Sequence, residues 1–367
     1  MFLPTVIILS MVLGNFGFLL STERAFAQTK MDSPSRGQTE PITVYDNGNI
    51  SHRTTDAKTY STDSYETSSF YDDIIEEGFP VSVYHSAGTF HGGPAIHTNV
   101  VKLSPRIMGQ QIVFTGLATG PLYAYDHTGH PVPGWPVVTS GAAYPVSFLG
   151  RVVMGSWGKQ LRGYDYTGEM VWSRTASNFI STPGSMDYMS FASGYGFFIG
   201  EEDWKVHGYN PHTGSILPGW PTGLIGNSQE FHTPALADLD GDGVKEIIAA
   251  SGTGNNMFKL VCLNLNGTTR WTKSFYGEVD TFPVVGDVDG DGEKEIVVVI
   301  TESPSWANRV VVLDKNGNIE QNWVPNGTSF WGTAPALADI NGDGIPEIII
   351  QMETSLNVTD HMGNQLP

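Results

Sequence analysis

Cysteine is almost absent: Cys262 stands alone among 367 residues. An internal disulfide framework is therefore excluded, as is a zinc site built from several thiolates. Basic residues are scarce as well. Lys and Arg number 19 against 38 Asp and Glu, for a net charge of −19, so the chain repels phosphate backbones and nucleic-acid binding is disfavoured. Charged residues reach only 16% and hydrophobic ones 40%, which permits a sizeable core. No helical hydrophobic period of usable length follows the N-terminal segment, so helical solenoids are excluded. A Walker loop, a G-x-S-x-G elbow and an H-E-x-x-H helix are all missing. What the chain does have is Gly, at 43, and Pro, at 22, and that abundance implies many turns.

Residues Phe2 to Leu20 are mostly apolar, and Ala25-Phe26-Ala27 follows with the small-x-small spacing of a signal-peptidase site. Residues 1–27 therefore read as a cleaved secretory signal, although no Lys or Arg precedes the apolar run. The alternative is a retained membrane anchor. With no Cys after the apolar run, a lipoprotein anchor is excluded. Both readings place the rest of the chain outside the cytoplasm: secreted, on the cell surface or in a periplasm. Residues 28–77 are rich in Ser, Thr, Asp and Gly with little aliphatic periodicity, and read as a flexible linker.

A repeat emerges when the turns are aligned. LYAYDHTGHPVPGWP turns at Gly129, LRGYDYTGEMVW at Gly168, and VHGYNPHTGSILPGWP at Gly214. LVCLNLNGTTRW, VVVLDKNGNIEQNW and LNVTDHMGNQLP follow at Gly267, Gly317 and Gly363. An Asp or Asn three or four residues before each Gly supports a tight hairpin in which Gly accepts positive φ. Trp135, Trp172, Trp220, Trp271 and Trp323 follow five of the six turns, and their expected role is packing between neighbouring units. A spacing of 39 to 53 residues with four short strands per unit predicts an all-β fold, a β-propeller of four-stranded blades over residues 78–367. Six blades are expected, with Gly78-Phe79-Pro80-Val81 completing the last one. The alternative is a truncated seven-bladed propeller.

Three near-copies of one loop recur in the C-terminal half. TPALADLDGDGVKEIIAA, FPVVGDVDGDGEKEIVVV and APALADINGDGIPEIIIQ share D-x-[DN]-x-D-G-x-x-E. Oxygen ligands at alternate positions suit Ca²⁺, whereas Zn²⁺ prefers nitrogen or sulfur. In 238–246 the candidate ligands are Asp238, Asp240, Asp242, the Val244 carbonyl and Glu246. In 287–295 they are Asp287, Asp289, Asp291, the Glu293 carbonyl and Glu295. In 339–347 they are Asp339, Asn341, Asp343, the Ile345 carbonyl and Glu347. About three calcium sites are expected. An EF-hand is excluded, because position twelve is Ala249, Val298 or Ile350 and a β-branched strand follows where a helix should. Without a cation, eleven carboxylates at ligand positions would repel one another.

These loops resemble the FG-GAP or VCBS-type repeats of integrin-α-like β-propellers, and the resemblance implies calcium in the hairpin between adjacent strands of a blade. The Gly-turn pattern resembles the outer strands of quinoprotein-like propellers. The stretches near Pro105, Val146 and Asp187 lack the acidic ladder, so the likeness implies three calcium sites and leaves the function open.

The leading expectation is a secreted, calcium-stabilised module that binds an extracellular protein or glycan and catalyses nothing. It implies no nucleic-acid partner and no membrane insertion beyond the signal segment. A polysaccharide lyase is the enzymatic alternative; a tethered component of a cell-surface assembly is the other. A quinoprotein dehydrogenase of the methanol-oxidising type would need adjacent cysteines. His85, His91, His97, His127, His130, His207 and His212 could serve a lyase, but histidines in turns and loops are expected to be solvated. Cys262 is expected to be a small core residue.

Overall fold

The computed structural model describes residues 112–366, apart from short stretches such as 117–120, 191–192, 227–232 and 328–333, together with four short strands before them. Residues 1–27 and the closing segment 78–81 lie outside the described residues. Among those described, no helix is long and apolar enough to cross a membrane.

The described chain is all-β. Strands β1 (Ile42–Val44) and β2 (Ile50–His52) form a hairpin, and β3 (Ser82–Val83) lies parallel to β1. The stretch read as linker thus contains a β-hairpin, Ile42–Val44 with Ile50–His52.

Six antiparallel sheets follow. The first contains β4 (Ala95–His97), β5 (Ile112–Gly116) and β6 (Leu122–Asp126). The second contains β7 (Ala143–Phe148), β8 (Arg151–Ser156), β9 (Gln160–Tyr164) and β10 (Met170–Thr175). Next come β11 (Ser185–Ser190), β12 (Gly194–Glu201) and β13 (Lys205–Tyr209). The fourth sheet has β14 (Ala235–Ala237), β15 (Glu246–Gly252), β16 (Met257–Leu263) and β17 (Thr269–Val279). The fifth has β18 (Val284–Gly286), β19 (Glu295–Glu302), β20 (Ala307–Leu313) and β21 (Ile319–Trp323). The last has β22 (Ala336–Ala338), β23 (Glu347–Gln351) and β24 (Leu356–Thr359). The far end of β17 pairs with β19 from Gly277 opposite Glu302, which joins the fourth and fifth sheets.

First strands of successive sheets touch in chain order, from β4 to β7, β11, β14, β18 and β22. The arrangement is propeller-like. Side chains alternate between the two faces of a strand, so each middle sheet feeds two cores. On β15, Ile248 and Ala250 face the fifth sheet while Ile247 and Ala249 face the third. On β19, Ile296, Val298 and Ile300 pack toward the fourth sheet, and Val297 and Val299 toward the sixth. Burial on both faces explains why these strands read as unbroken apolar runs. Cys262 is fully buried in one of the cores, and desolvation pushes its thiol up to about 12.

Among the described residues, the first, third and last sheets have three full strands each. At the outer position stand isolated bridges: Leu122 with Val137 and Tyr125 with Pro131, Tyr209 with Ile216, and Thr359 with Gln365. In the first and third sheets the segment carries Pro133 and Pro136, or Pro218 and Pro221, and a proline has no N–H for a ladder. In the last sheet the Leu366 amide donates to the Val358 carbonyl at 2.9 Å, so residues 365–366 begin the outer position there.

Each turn glycine adopts the expected left-handed conformation, with φ from 69° to 80° at Gly129, Gly168, Gly214, Gly267 and Gly317 and 83° at Gly363. The indoles do pack between units, onto the next unit's turn. Trp135 Nε1 donates to the Tyr166 carbonyl at 2.9 Å, Trp172 to Pro211 at 2.8 Å, Trp220 to Leu265 at 2.9 Å and Trp271 to Lys315 at 2.8 Å.

Candidate metal centre

Each acidic loop joins the first strand of a sheet to the second. The loop after β14 ends as Glu246 opens β15, and Glu295 and Glu347 open β19 and β23 in the same way. These three glutamates are only 3%, 3% and 4% exposed, because the strands they begin run directly into the cores.

The loops share one hydrogen-bond pattern. At position one, Asp238, Asp287 and Asp339 each accept two amides, from Gly241 and Gly243, Gly290 and Gly292, and Gly342 and Gly344, at 2.6–3.0 Å. At position three, Asp240, Asp289 and Asn341 accept the amides of Asp242, Asp291 and Asp343 at 2.8–3.3 Å. At position five, Asp242, Asp291 and Asp343 accept the amides of Val244, Glu293 and Ile345 at 2.7–2.8 Å. At position nine, Glu246, Glu295 and Glu347 accept those of Leu239, Val288 and Ile340 through Oε2 at 2.8–3.0 Å. One oxygen of each residue at positions five and nine is thereby anchored; of the other oxygens, Glu246 Oε1 pairs with Arg270, and Asp343 Oδ2 and Glu347 Oε1 accept the Asn341 amide. The backbone of each loop thus holds all four of its expected side chains, but the third loop does not bring Asp339, Asp343 and Glu347 within 4.8 Å of one another.

The carboxylate oxygens of Asp287, Asp289 and Asp291 approach within 4.8 Å of one another, as do those of Asp238, Asp240 and Glu246. Such all-oxygen clusters could hold a metal, and they fit a hard divalent cation. Burial raises the carboxyls of Glu246 and Glu295, the latter to about 7. A cation that repaid this desolvation would favour the ionised forms.

The loops lie next to one another along one end of successive sheets. Lys294 Nζ donates to the Asp238 carbonyl at 2.8 Å, linking the second loop to the first. The Ile345 side chain of the third loop lies against Gly290 of the second. Lys245 pairs with Asp187 of the preceding sheet.

Two residues that the motif does not contain enter these loops from outer strands. Arg270, at the start of β17, sets Nη2 2.5 Å from Asp240 Oδ2 and Nη1 3.0 Å from Glu246 Oε1, and its contact holds the Asp240 carboxyl below the usual range. Glu320 of β21 occupies the equivalent place in the second loop, within 4.8 Å of Asp289 and Glu295 oxygens. Sequence reasoning missed both. The available signal was their shared position, three residues past the turn glycines Gly267 and Gly317.

The third sheet carries a different buried cluster. Glu201 is 0% exposed and accepts the Ser177 amide at 2.6 Å and the Tyr209 hydroxyl at 2.8 Å. His207, expected to be solvated like the other histidines near turns, is buried between Asp203, 3.0 Å from Nε2, and Tyr209, 3.3 Å from Nδ1. It lies on β13, on the same face as Tyr209, with which its ring stacks. His130 is exposed on its turn, and His212 meets the edge of the Tyr195 ring.

Residues 287–350 match the FG-GAP-like repeat, from the first ligand of the second loop into the strand after the third. The chain carries an FG-GAP-like repeat. No curated protein matches it in sequence. Among solved structures, the computationally designed Ika8 protein superposes with a TM-score of 0.51 at 15% identity, covering 70% of each chain. The Vibrio cholerae biofilm matrix protein Bap1 gives 0.47 at 15% identity over 72% of this chain and 44% of that one. BamB from Moraxella catarrhalis gives 0.42 at 17% identity over 74% of this chain and 85% of that one.

Proposed function

We propose that this FG-GAP-like chain is an exported, calcium-stabilised β-propeller that binds an extracellular protein or glycan and performs no catalysis. The observation that carries this reading is the threefold recurrence of one loop geometry, each with a buried Glu at position nine beside alternating acidic side chains. Calcium supplies a positive centre for these oxygens. Asp238, Asp240, Asp242 and Glu246 would hold it in the first loop; Asp287, Asp289, Asp291 and Glu295 in the second; and Asp339, Asn341, Asp343 and Glu347 in the third. The loops join strands of the sheets themselves, so their metal acts on stability. Six blades, the last completed by residues 78–81, is the architecture this reading takes. Export through residues 1–27 brings the chain to compartments where calcium is abundant enough to fill such sites.

Thermal melting in EDTA, followed by calcium and then magnesium back-titration, tests the metal. A fall in Tm on chelation that calcium restores and magnesium does not is the expected result. A melt indifferent to EDTA would sink the calcium assignment. Incubation of the calcium-loaded protein with extracellular polysaccharides separates the binding role from the lyase: retention without new unsaturated ends is expected.

A further inference from the structure

The three loops share a motif but not an environment. In the first, the two cation-facing oxygens of Asp240 and Glu246 already hold the Arg270 guanidinium, at 2.5 and 3.0 Å. In the second, Lys315 pairs with Glu293 at position seven, at 2.6 Å, but none of the ion pairs among the described residues reaches Asp289, Asp291 or Glu295, and Glu320 brings a further carboxylate to Asp289 and Glu295. In the third, the Asn341 amide takes their place, donating to Glu347 Oε1 at 2.7 Å and to Asp343 Oδ2 at 3.0 Å.

Arg270 and Glu320 stand at one structural position. β17 pairs with β16 through Thr269 opposite Leu263, then skips a residue to Trp271 opposite Cys262. β21 pairs with β20 through Ile319 opposite Leu313, then skips to Gln321 opposite Val312. The skipped residues are Arg270 and Glu320, one in each β-bulge, and a bulge re-aims its side chain. The fold therefore delivers one side chain from the outer strand to each loop, and the sequence varies its charge.

We infer that this bulge residue sets the metal affinity of its loop: Glu320 makes 287–295 the tightest site, and Arg270 acts as a built-in counter-cation that makes 238–246 the weakest. The inference rests on the calcium reading above. Calcium affinity in oxygen sites follows the charge and number of ligands, and a bound guanidinium must be displaced before an ion can enter. The third loop, with an amide and no bulge charge, falls between.

Calorimetric calcium titration of the chelator-stripped full chain tests this, with Glu320→Arg and Arg270→Glu as exchanged charges and Glu320→Gln and Arg270→Gln as milder versions. Both positions are at least partly exposed, and circular dichroism checks that the variants keep the fold. Unequal steps are expected in the parent chain. Glu320→Gln should weaken the tightest step about tenfold, with a greater loss in Glu320→Arg, and Arg270→Gln should strengthen the weakest about tenfold. Equal affinities in the parent, or isotherms unchanged by the substitutions, would overturn the inference while leaving calcium binding intact. No calcium uptake by any loop would instead overturn the calcium reading itself.

Discussion

Trp172 lies over Gly214 so closely that a β-carbon on the glycine would meet the indole ring at 2.6 Å. The same indole donates to the Pro211 carbonyl three residues earlier. Turn and indole belong to adjacent sheets, so this contact ties one repeat to the next. Trp271 on Gly317 and Trp323 on Gly363 repeat the close approach, at 2.8 and 2.6 Å. Where Pro-Gly-Trp-Pro precedes the contact, Gly134 and Gly219 approach the next turn glycine by backbone instead.

Gly214→Ala should destabilise the chain by about 2–4 kcal/mol, from positive φ together with overpacking against Trp172. Gly150 is the comparison: its φ is 84°, and a methyl group there would find nothing within 4 Å. Gly150→Ala should cost only about 1–2 kcal/mol. Urea unfolding of both variants checks the difference, and equal losses would remove the close contact as the cause.

Acidity should act on the metal-free protein through Glu295. Its carboxyl titrates at about 7 in the folded chain because burial disfavours the charge, against an ordinary value of 4.5. The folded state therefore binds this proton more tightly than the unfolded state. Its contribution to stability is full below pH 4.5 and is lost as pH rises through about 7. Melts in EDTA across that range should show a declining Tm, and Glu295→Gln should flatten the decline. An identical slope in the variant would contradict the assignment.

Removing the buried Glu201 should be among the more damaging changes. Glu201→Ala leaves the Ser177 amide and Tyr209 hydroxyl without their acceptor, a loss of about 3 kcal/mol. Tyr209→Phe removes one hydrogen bond to that carboxylate and should cost about 1–2 kcal/mol. Chemical denaturation of the two variants measures the ordering, and a larger loss for Tyr209→Phe would contradict it.

Calcium-loaded protein should resist proteolysis at the acidic loops better than chelated protein. Asp289→Ala should abolish part of that protection, by about 1–2 kcal/mol of apparent stability at saturating calcium. Limited digestion with a protease specific for acidic residues, read by mass spectrometry, checks it; cleavage insensitive to calcium in the parent chain would count against the site.

Much of this architecture was legible because its signals are local. A turn needs an Asx residue and a glycine a few positions apart, and Asp165 with Gly168 or Asp314 with Gly317 supply both within one segment. The acidic loops were legible for the same reason: nine consecutive residues hold the whole motif, although Arg270 and Glu320 reach them from elsewhere. His207 was not, since its surroundings, Glu201 and Tyr209, are set by the pairing of β12 with β13. The short outer strands of the first and third sheets were not fully legible either, although Pro133, Pro136, Pro218 and Pro221 stand in plain view.

From the chain of residues alone came the repeat, the all-β class and the three oxygen-rich loops, because turn chemistry and two-residue alternation act over a few bonds. Tertiary structure decided which loop faces Arg270 and which faces Glu320. That choice depends on strand register and on one skipped pairing in each hairpin, which bring together residues 30 and 31 positions apart for Asp240 with Arg270 and Asp289 with Glu320.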